Sequence, residues 1–446
     1  MSEPTGIRYY DLRHVTGEST LVDIDNGIVE SAGTSFFNRA ILRVLGPHGW
    51  GILQIDNFTP ASGKKFNALL DSAAKLAAIT GQDVNLHEAT QQAHDVPVMR
   101  EDPRGMSIEE KTSLLAEIER AAALPDVVNR RANYIERSEH VTFSDSSGYE
   151  FSYEICRSGF NVLAVASRNG TMQMGYEREH SIHGFDLRHR QESGRKAAKV
   201  AVSLLDAGHA KGGRMRVVLD PELAGVFAHE AVGHASEGDL VQEGNSVLAK
   251  MTGESIGNDR LTIVDDPALP EFGFEPFDAE GVAVQRTEII RKGVVNAFLH
   301  SRETLAAVGN GIAGHARAMG AEPPLVRMSN TYIENGDSTR EEIMEACKNG
   351  ILLKGSRGGQ VDPGRGVFQF NAEYGYLIER GECTTMVRDV SLSGDILSTL
   401  HGILLCGNDG AMHPGYCGKG GQSVPVSDGA PHVLLDNAVV GGSGVD

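Results

Sequence analysis

His229-Glu230-Ala231-Val232-Gly233-His234 places two imidazoles and a carboxylate within one and a half turns of what reads as a helix. A zinc hydrolase needs that set: two ligands, and a base for a metal-activated water. In the common H-E-x-x-H arrangement the histidines stand at i and i+4 on one helical face. Here they stand at i and i+5. At about 100° per residue a regular helix would leave the rings roughly 140° apart, too divergent to share one ion. A single turn with i→i+5 hydrogen bonding would close the gap, and such bulges gather at functional sites. Gly233, just before the second histidine, is the expected place for the distortion. The plainer reading is an ordinary helix with two unrelated histidines.

Outward from this stretch, Arg214 to Leu219 reads as a short strand. Asp220-Pro221-Glu222 then supplies an N-cap, a proline at the first helical position and an acid in the first turn. Leu223, Val226 and Phe227 give an apolar face. Glu237-Gly238-Asp239 is the expected exit, with Gly238 as the C-cap. Catalytic zinc sites usually have three protein ligands, so a third must come from elsewhere. The five cysteines are Cys156, Cys347, Cys383, Cys406 and Cys417. They form no C-x-x-C pair and no even disulfide framework, which points to a reducing compartment. Cys417 stands apart in the glycine-rich run His413-Pro414-Gly415-Tyr416-Cys417-Gly418-Lys419, where Lys419 is expected to favour the thiolate. Cys347 and Cys406 read as core cysteines.

Taken together, H-E-x-x-x-H at His229, Glu230 and His234, with a distant G-x-C at Gly415-Tyr416-Cys417, resembles the TldD/PmbA family of metalloproteases. That family was once called modulators of DNA gyrase, and the match is to its metal-bearing TldD branch. Phe277 to Val282, Arg327 to Tyr332, Gly358 to Pro363, Tyr376 to Glu379 and Cys417 to Gln422 are similar to further family blocks. The resemblance covers nearly the whole chain. It implies that His229, His234 and Cys417 bind Zn2+ and that Glu230 is the catalytic acid/base. It also implies a peptide or unfolded polypeptide as substrate, and a dimer, either of two identical chains or with a metal-free PmbA-like subunit. His413, four residues before the thiol, departs from the pattern and offers another donor.

Composition agrees with a soluble, multi-domain protein. A chain of 446 residues is long enough for two or three domains. Its 53 glycines suit many tight strand connections better than a helical bundle. The start, Met1 to Gly6, shows no basic or apolar signal region, and no run approaches the roughly 18 apolar residues of a membrane span. A cytoplasmic location follows as the expectation. The formal charge of -19 argues against nucleic acid as a partner.

The expected fold class is α+β, with mixed and antiparallel sheets and a strand-rich C-terminal metal-binding domain. Residues 1–105 are assigned to an N-terminal α/β domain, 106–210 to a middle α+β domain and 211–446 to the C-terminal metalloprotease domain. Short strands are expected at Thr20–Ile24, Ile41–Leu45 and Trp50–Leu53, then a helix from Lys64 to Thr80. Gly81 to Gly105 reads as a solvated link, and its His87-Glu88 pair has no second histidine at a useful spacing. Ser107-Ile108-Glu109-Glu110 opens a helix as a capping box. Strands follow from Asn133 to Ala166, and helices at Glu192 to Asp206 and around Thr339 to Lys348. His180, His183 and His189 read as part of an exposed polar segment, and no spacing selects His315 or Arg317 for an oxyanion role.

A zinc peptidase is therefore the leading expectation. Two rivals stand beside it: a non-enzymatic partner or scaffold whose structural zinc takes His413 as fourth ligand, and a metal-dependent amidase acting on a small molecule. An exposed sheet edge beside the metal would favour the peptidase.

Overall fold

The computed structural model describes residues 6–60, 62–184 and 187–442. Its N-terminal half is built on one antiparallel sheet of six strands. These are β1 (Tyr9–Asp25), β2 (Ile28–Gly46), β3 (Gly49–Asp56), β4 (Val127–Asp145), β5 (Glu150–Arg168) and β6 (Thr171–Ser181), in the order β3-β2-β1-β4-β5-β6. The strand-like pieces expected between residues 20 and 57 are parts of strands 17, 19 and 8 residues long. Their length escaped the pattern because the buried face of β1 carries Asp11 and Arg13, and Ile28 to Phe36 of β2 is exposed on both faces, so no apolar alternation marks either. Asp145 to Gly148 and Arg168 to Gly170 are the hairpin turns their composition suggests.

Helix α1 (Lys64–Ala77) covers β2 and β3 with Leu70, Ala73 and Ala77. Helices α2 (Ile108–Ala121) and α3 (Gln191–Leu205) cover the other half, meeting over Leu115, Ile118, Ala197, Ala198 and Ala201. Ser107 caps α2 by accepting from the Glu110 amide. The segment from Gly81 to Gly105 has little regular structure, yet it is a strap more than a solvated link. Val84 is buried, Thr90 accepts from the Ala283 amide, and His94 Nε2 lies 3.0 Å from the Val284 carbonyl.

The C-terminal half holds two large sheets. One is centred on β7 (Gly213–Leu219), with Asn349–Lys354 parallel on one side. On the other side lies an antiparallel strand over Val433–Gly441. The second contains β8 (Ile263–Asp265), β9 (Asn330–Ile333), β10 (Ala411–Lys419) and β11 (Gln422–Ala430). Its order ends β8-β9-β11-β10, so β10 is an outermost strand. The multi-sheet α+β class is thus observed. No described helix is long and apolar enough to cross a membrane.

The two halves are joined by buried charge. Arg43 on β2 donates to both carboxylate oxygens of Asp11 at 2.9 and 2.6 Å and to Glu280 of the C-terminal half at 3.1 Å. All three side chains are buried. Removing the shared cation strands two buried carboxylates, which costs about 3–5 kcal/mol when one partner of a buried pair is lost. Arg43→Met should therefore lower stability by that amount in urea denaturation; a loss below about 1 kcal/mol would show that the contact is not structural.

Candidate metal centre

Helix α4 (Pro221–Phe227) begins as its sequence dictates: Asp220 accepts from the Leu223 amide as N-cap, and Pro221 fills the first turn. The bonding pattern then widens. Over Ala228–Gly233 it is a π-helix, and the His234 amide donates to the carbonyl of His229. The two histidines of the motif are thus themselves joined by an i→i+5 bond. Their rings stand 5.2 Å apart, centroid to centroid, at 88°. A 3-10 turn over His234–Ser236 follows, and Glu237 leaves it in extended conformation. Gly238 is not a C-cap. It opens the next short helix, and a Cβ there would lie 2.2 Å from Nδ1 of His300.

Gly233 is the last residue of the widened turn, as expected, but in a right-handed conformation that needs no glycine. It is there because a Cβ would fall 1.9 Å from Sδ of the fully buried Met328. Gly225 lets the helix lie directly on β11, where a Cβ would meet the Gly429 amide at 2.8 Å. That close approach brings His229 against Asp428.

Three donors converge from two elements. Nε2 of His229 lies 3.2 Å from Sγ of Cys417, and Nε2 of His234 lies 3.5 Å from it. All three donor atoms fall within 4.8 Å of one another. Tetrahedral zinc with ordinary bond lengths would set nitrogen and sulfur about 3.6 Å apart, so the spacing fits. Each ring is also turned by a carboxylate on its other nitrogen. Nδ1 of His229 lies 2.7 Å from Asp428, and Nδ1 of His234 is hydrogen-bonded to Glu237 at 3.1 Å. Carboxylates placed this way fix the tautomer and aim Nε2 at a metal.

Lys419 does not serve the thiolate as its proximity in sequence suggested. Its ammonium donates to Glu237 at 3.0 Å, to Asp239 at 2.7 Å and to the Val326 carbonyl. Burial alone would raise the Cys417 thiol, but the two histidines override it and hold it down to about 5. Burial likewise opposes protonation of both imidazoles. Asp428 and Cys417 nonetheless push His229 well up, and Glu237 and Cys417 push His234 up to about 9. Glu230 is raised by burial, with His229 and His234 pulling the other way. Its carboxylate is partly exposed, 3.9 Å from Nε2 of His234.

Other candidates lie elsewhere. His413 pairs across the strands with Asp428. Four residues of strand put it about 13 Å from Cys417, beyond reach of a shared ion. His315 and Arg317 are buried, the former kept neutral by burial with its pKa down to about 3 and the latter bound to Glu275 and the Met328 carbonyl. His180 is half-buried rather than exposed, edge-on to Tyr416. Asp428, Glu237 and Arg327, which donates to the Cys417 carbonyl, were not identified as site residues from sequence. Cys347 and Cys406 are core residues, and burial pushes their thiols up to about 11 and about 12.

Models of PmbA/TldA metallopeptidase domains match residues 10–79, 101–205 and 212–442. The chain belongs to the PmbA/TldD metallopeptidase family. A metalloprotease of Archaeoglobus fulgidus is 41% identical over 440 residues, covering 98% of this chain and all of the relative. A zinc metalloprotease TldD homolog of Saccharolobus solfataricus is 32% identical over 331 residues, covering 71% and 72% of the two chains. Among solved structures, a modulator of DNA gyrase from Thermotoga maritima superposes with a TM-score of 0.81 at 21% identity, covering 97% and 96%. TldE from Thermococcus kodakarensis gives 0.80 at 19%, covering 97% of both chains. At these identities the structures establish the shared fold alone.

Two outcomes test this geometry. Gly233→Ala should cost about 1–3 kcal/mol through overpacking, and adding Met328→Ala should recover part of it; additive losses in thermal unfolding would refute the contact. In protein stripped of metal, the ultraviolet thiolate absorbance of Cys417 should persist above pH about 5 and vanish as pH falls through that value. Because this pKa is depressed, the thiolate's contribution to stability is lost on acidification, not on raising pH.

Proposed function

We propose that this family member is a zinc-dependent peptidase acting on peptides or unfolded polypeptide segments. The observation that carries the reading is the placement of Cys417 on β10, an outermost strand, beside the two carboxylate-oriented histidines. An outer strand offers backbone groups to an extended chain. Cavities of about 560 and 760 Å3 flank His413 and Pro414 of the same strand, walled on the far side by Arg178 of β6. Together they make a trough between β6 and β10 whose lining includes none of His229, Glu230, His234 and Cys417.

His229, His234 and Cys417 would hold the ion. When bound, zinc supplies Lewis acidity to a scissile carbonyl and acidifies water toward neutrality. Asp428 and Glu237 keep both rings in the tautomer that presents Nε2. Glu230 takes a proton from the attacking water at its exposed carboxylate and passes it to the leaving amine. Its raised pKa suits both halves of that shuttle. A structural zinc would need a fourth protein ligand. No fourth His, Cys, Asp or Glu donor joins the cluster among the described residues, which supports the catalytic role.

The same reading carries a dimer, of identical chains or with a PmbA-like subunit, in the cytoplasm, where a thiolate ligand is protected from oxidation. It keeps 1–105, 106–210 and 211–446 as the three domains. Purified protein should bind about one zinc per chain and cleave an unstructured peptide in a chelator-sensitive manner. Glu230→Gln should lower cleavage by about 10²–10⁴-fold with zinc retained. Full activity in Glu230→Gln would remove that residue from the mechanism. Zinc without cleavage in the wild-type protein, alone and with a PmbA-like subunit, would favour the scaffold.

A further inference from the structure

We infer that Arg327 is the positioning residue for Cys417, its guanidinium clamping the backbone of β10 so that Sγ is held against both histidines. The inference rests on the metal-site reading above. Arg327 is the largest of the fully buried side chains, with no exposed surface. It lies between Val326 and β9, its amide donating to the His315 carbonyl at 2.9 Å. Its Nη2 donates to the Cys417 carbonyl at 2.5 Å. No carboxylate pairs with it among the described residues, and its Nε and Nη1 have no hydrogen-bond partner. Burying a guanidinium without a counter-charge costs several kcal/mol, so a shorter or apolar residue would be favoured here on stability alone. What the arginine adds is one directed hydrogen bond to the residue that supplies the thiolate.

Cys417 needs such a clamp. Its strand pairs on one side with β11, and its position there is opposite Val424. It sits in Gly415-Tyr416-Cys417-Gly418, and neither glycine is held by close packing: a Cβ at Gly418 would meet nothing within 4 Å, and at Gly415 only Val426 at 3.9 Å. A ligand must nevertheless stay within about 0.5 Å of its productive place. Two cations supply the constraint. Lys419 anchors the strand two residues on, through Glu237, Asp239 and the Val326 carbonyl. Arg327, the residue after Val326, grips Cys417 itself. Arg317 steadies the same turn by donating to the Met328 carbonyl at 2.6 Å and to Glu275, which also binds Arg157 of β5. The clamp is thereby tied back to the N-terminal sheet.

The test uses the full chain carrying Arg327→Met or Arg327→Lys. Zinc affinity is read by chelator competition, and the thiolate-to-metal charge-transfer band is read after loading with Co2+. Loss of an outer partner of a metal ligand typically weakens binding about 10–100-fold, and that is the expected result for Arg327→Met, with a weakened or shifted band. Arg327→Lys, which retains charge and reach but not the planar fork, should recover part of both; it also decides the matter if the methionine variant does not fold. Phe160→Leu, a change in the separate core of the N-terminal sheet, should lower stability without moving the band. Wild-type affinity and an unchanged band in a folded Arg327 variant would overturn the inference. A wild-type protein whose Co2+ form lacks the thiolate band would instead overturn the metal-site reading on which it rests.

Discussion

Two imidazoles that must face one point stand five positions apart, and a regular helix turns them away from each other. The rest of the centre depends on how that conflict is resolved. One turn of π-helix over Ala228–Gly233 lets the His229 carbonyl accept from the His234 amide, so the distortion is itself hydrogen-bonded. A widened turn needs support on both flanks. Gly225 allows the preceding helix to rest on the backbone of β11, and Gly233 allows the following turn to rest on Met328. Side chains at either position would lift the helix from the sheet and separate His229 from Asp428.

Charge then does what the backbone cannot. Each histidine has an acid behind it, Asp428 for one and Glu237 for the other, and the thiolate lies in front of both. Buried charges are tolerated only when paired. Here the pairing is closed in sequence: carboxylate to imidazole, imidazole to sulfur, and Lys419 back to Glu237 and Asp239. The arrangement is a ready cation site because two rings and a sulfur already aim lone pairs or protons at the same small volume. Glu230, on the same turn, is partly exposed and makes no part of this closed pairing beyond its 3.9 Å approach to Nε2 of His234.

Local signals were legible wherever a residue acts on its immediate neighbours. Asp220 and Pro221 announce the helix start, and Ser107 and Thr339 announce two others through contacts three residues away. The i,i+5 spacing pointed to a widened turn if the two rings share one ion, because a regular helix would turn them apart. Why Gly233 must be glycine was not legible: its partner, Met328, is remote in sequence, and packing across the core leaves no periodic trace. Asp428 was invisible on the same ground, since nothing near it in the chain marks it as facing a histidine. Gly238 looked like a C-cap because glycine is common there, while its actual constraint is the ring of His300. The long β1–β2 hairpin was not legible in full because Ile28 to Phe36 is exposed on both faces and the buried face of β1 carries Asp11 and Arg13 in place of apolar residues.

The same contrast separates a catalytic from a structural metal. A structural site closes on itself, and its ligands are best placed on strands locked from both sides. Here the sulfur is carried by an outermost strand between two loosely packed glycines, a poor choice for holding a fold together and a good one for meeting an extended chain. His413, the one extra donor on that strand, is spaced by four residues and so shares the face of Cys417 without reaching its ion. It lines the trough instead, where cavities on either side bring β10 opposite β6 of the N-terminal sheet. The buried chain from Arg157 through Glu275 to Arg317 ties the N-terminal sheet to the C-terminal half. The N-terminal half is therefore one wall of this trough, through β6, and β10 is the other.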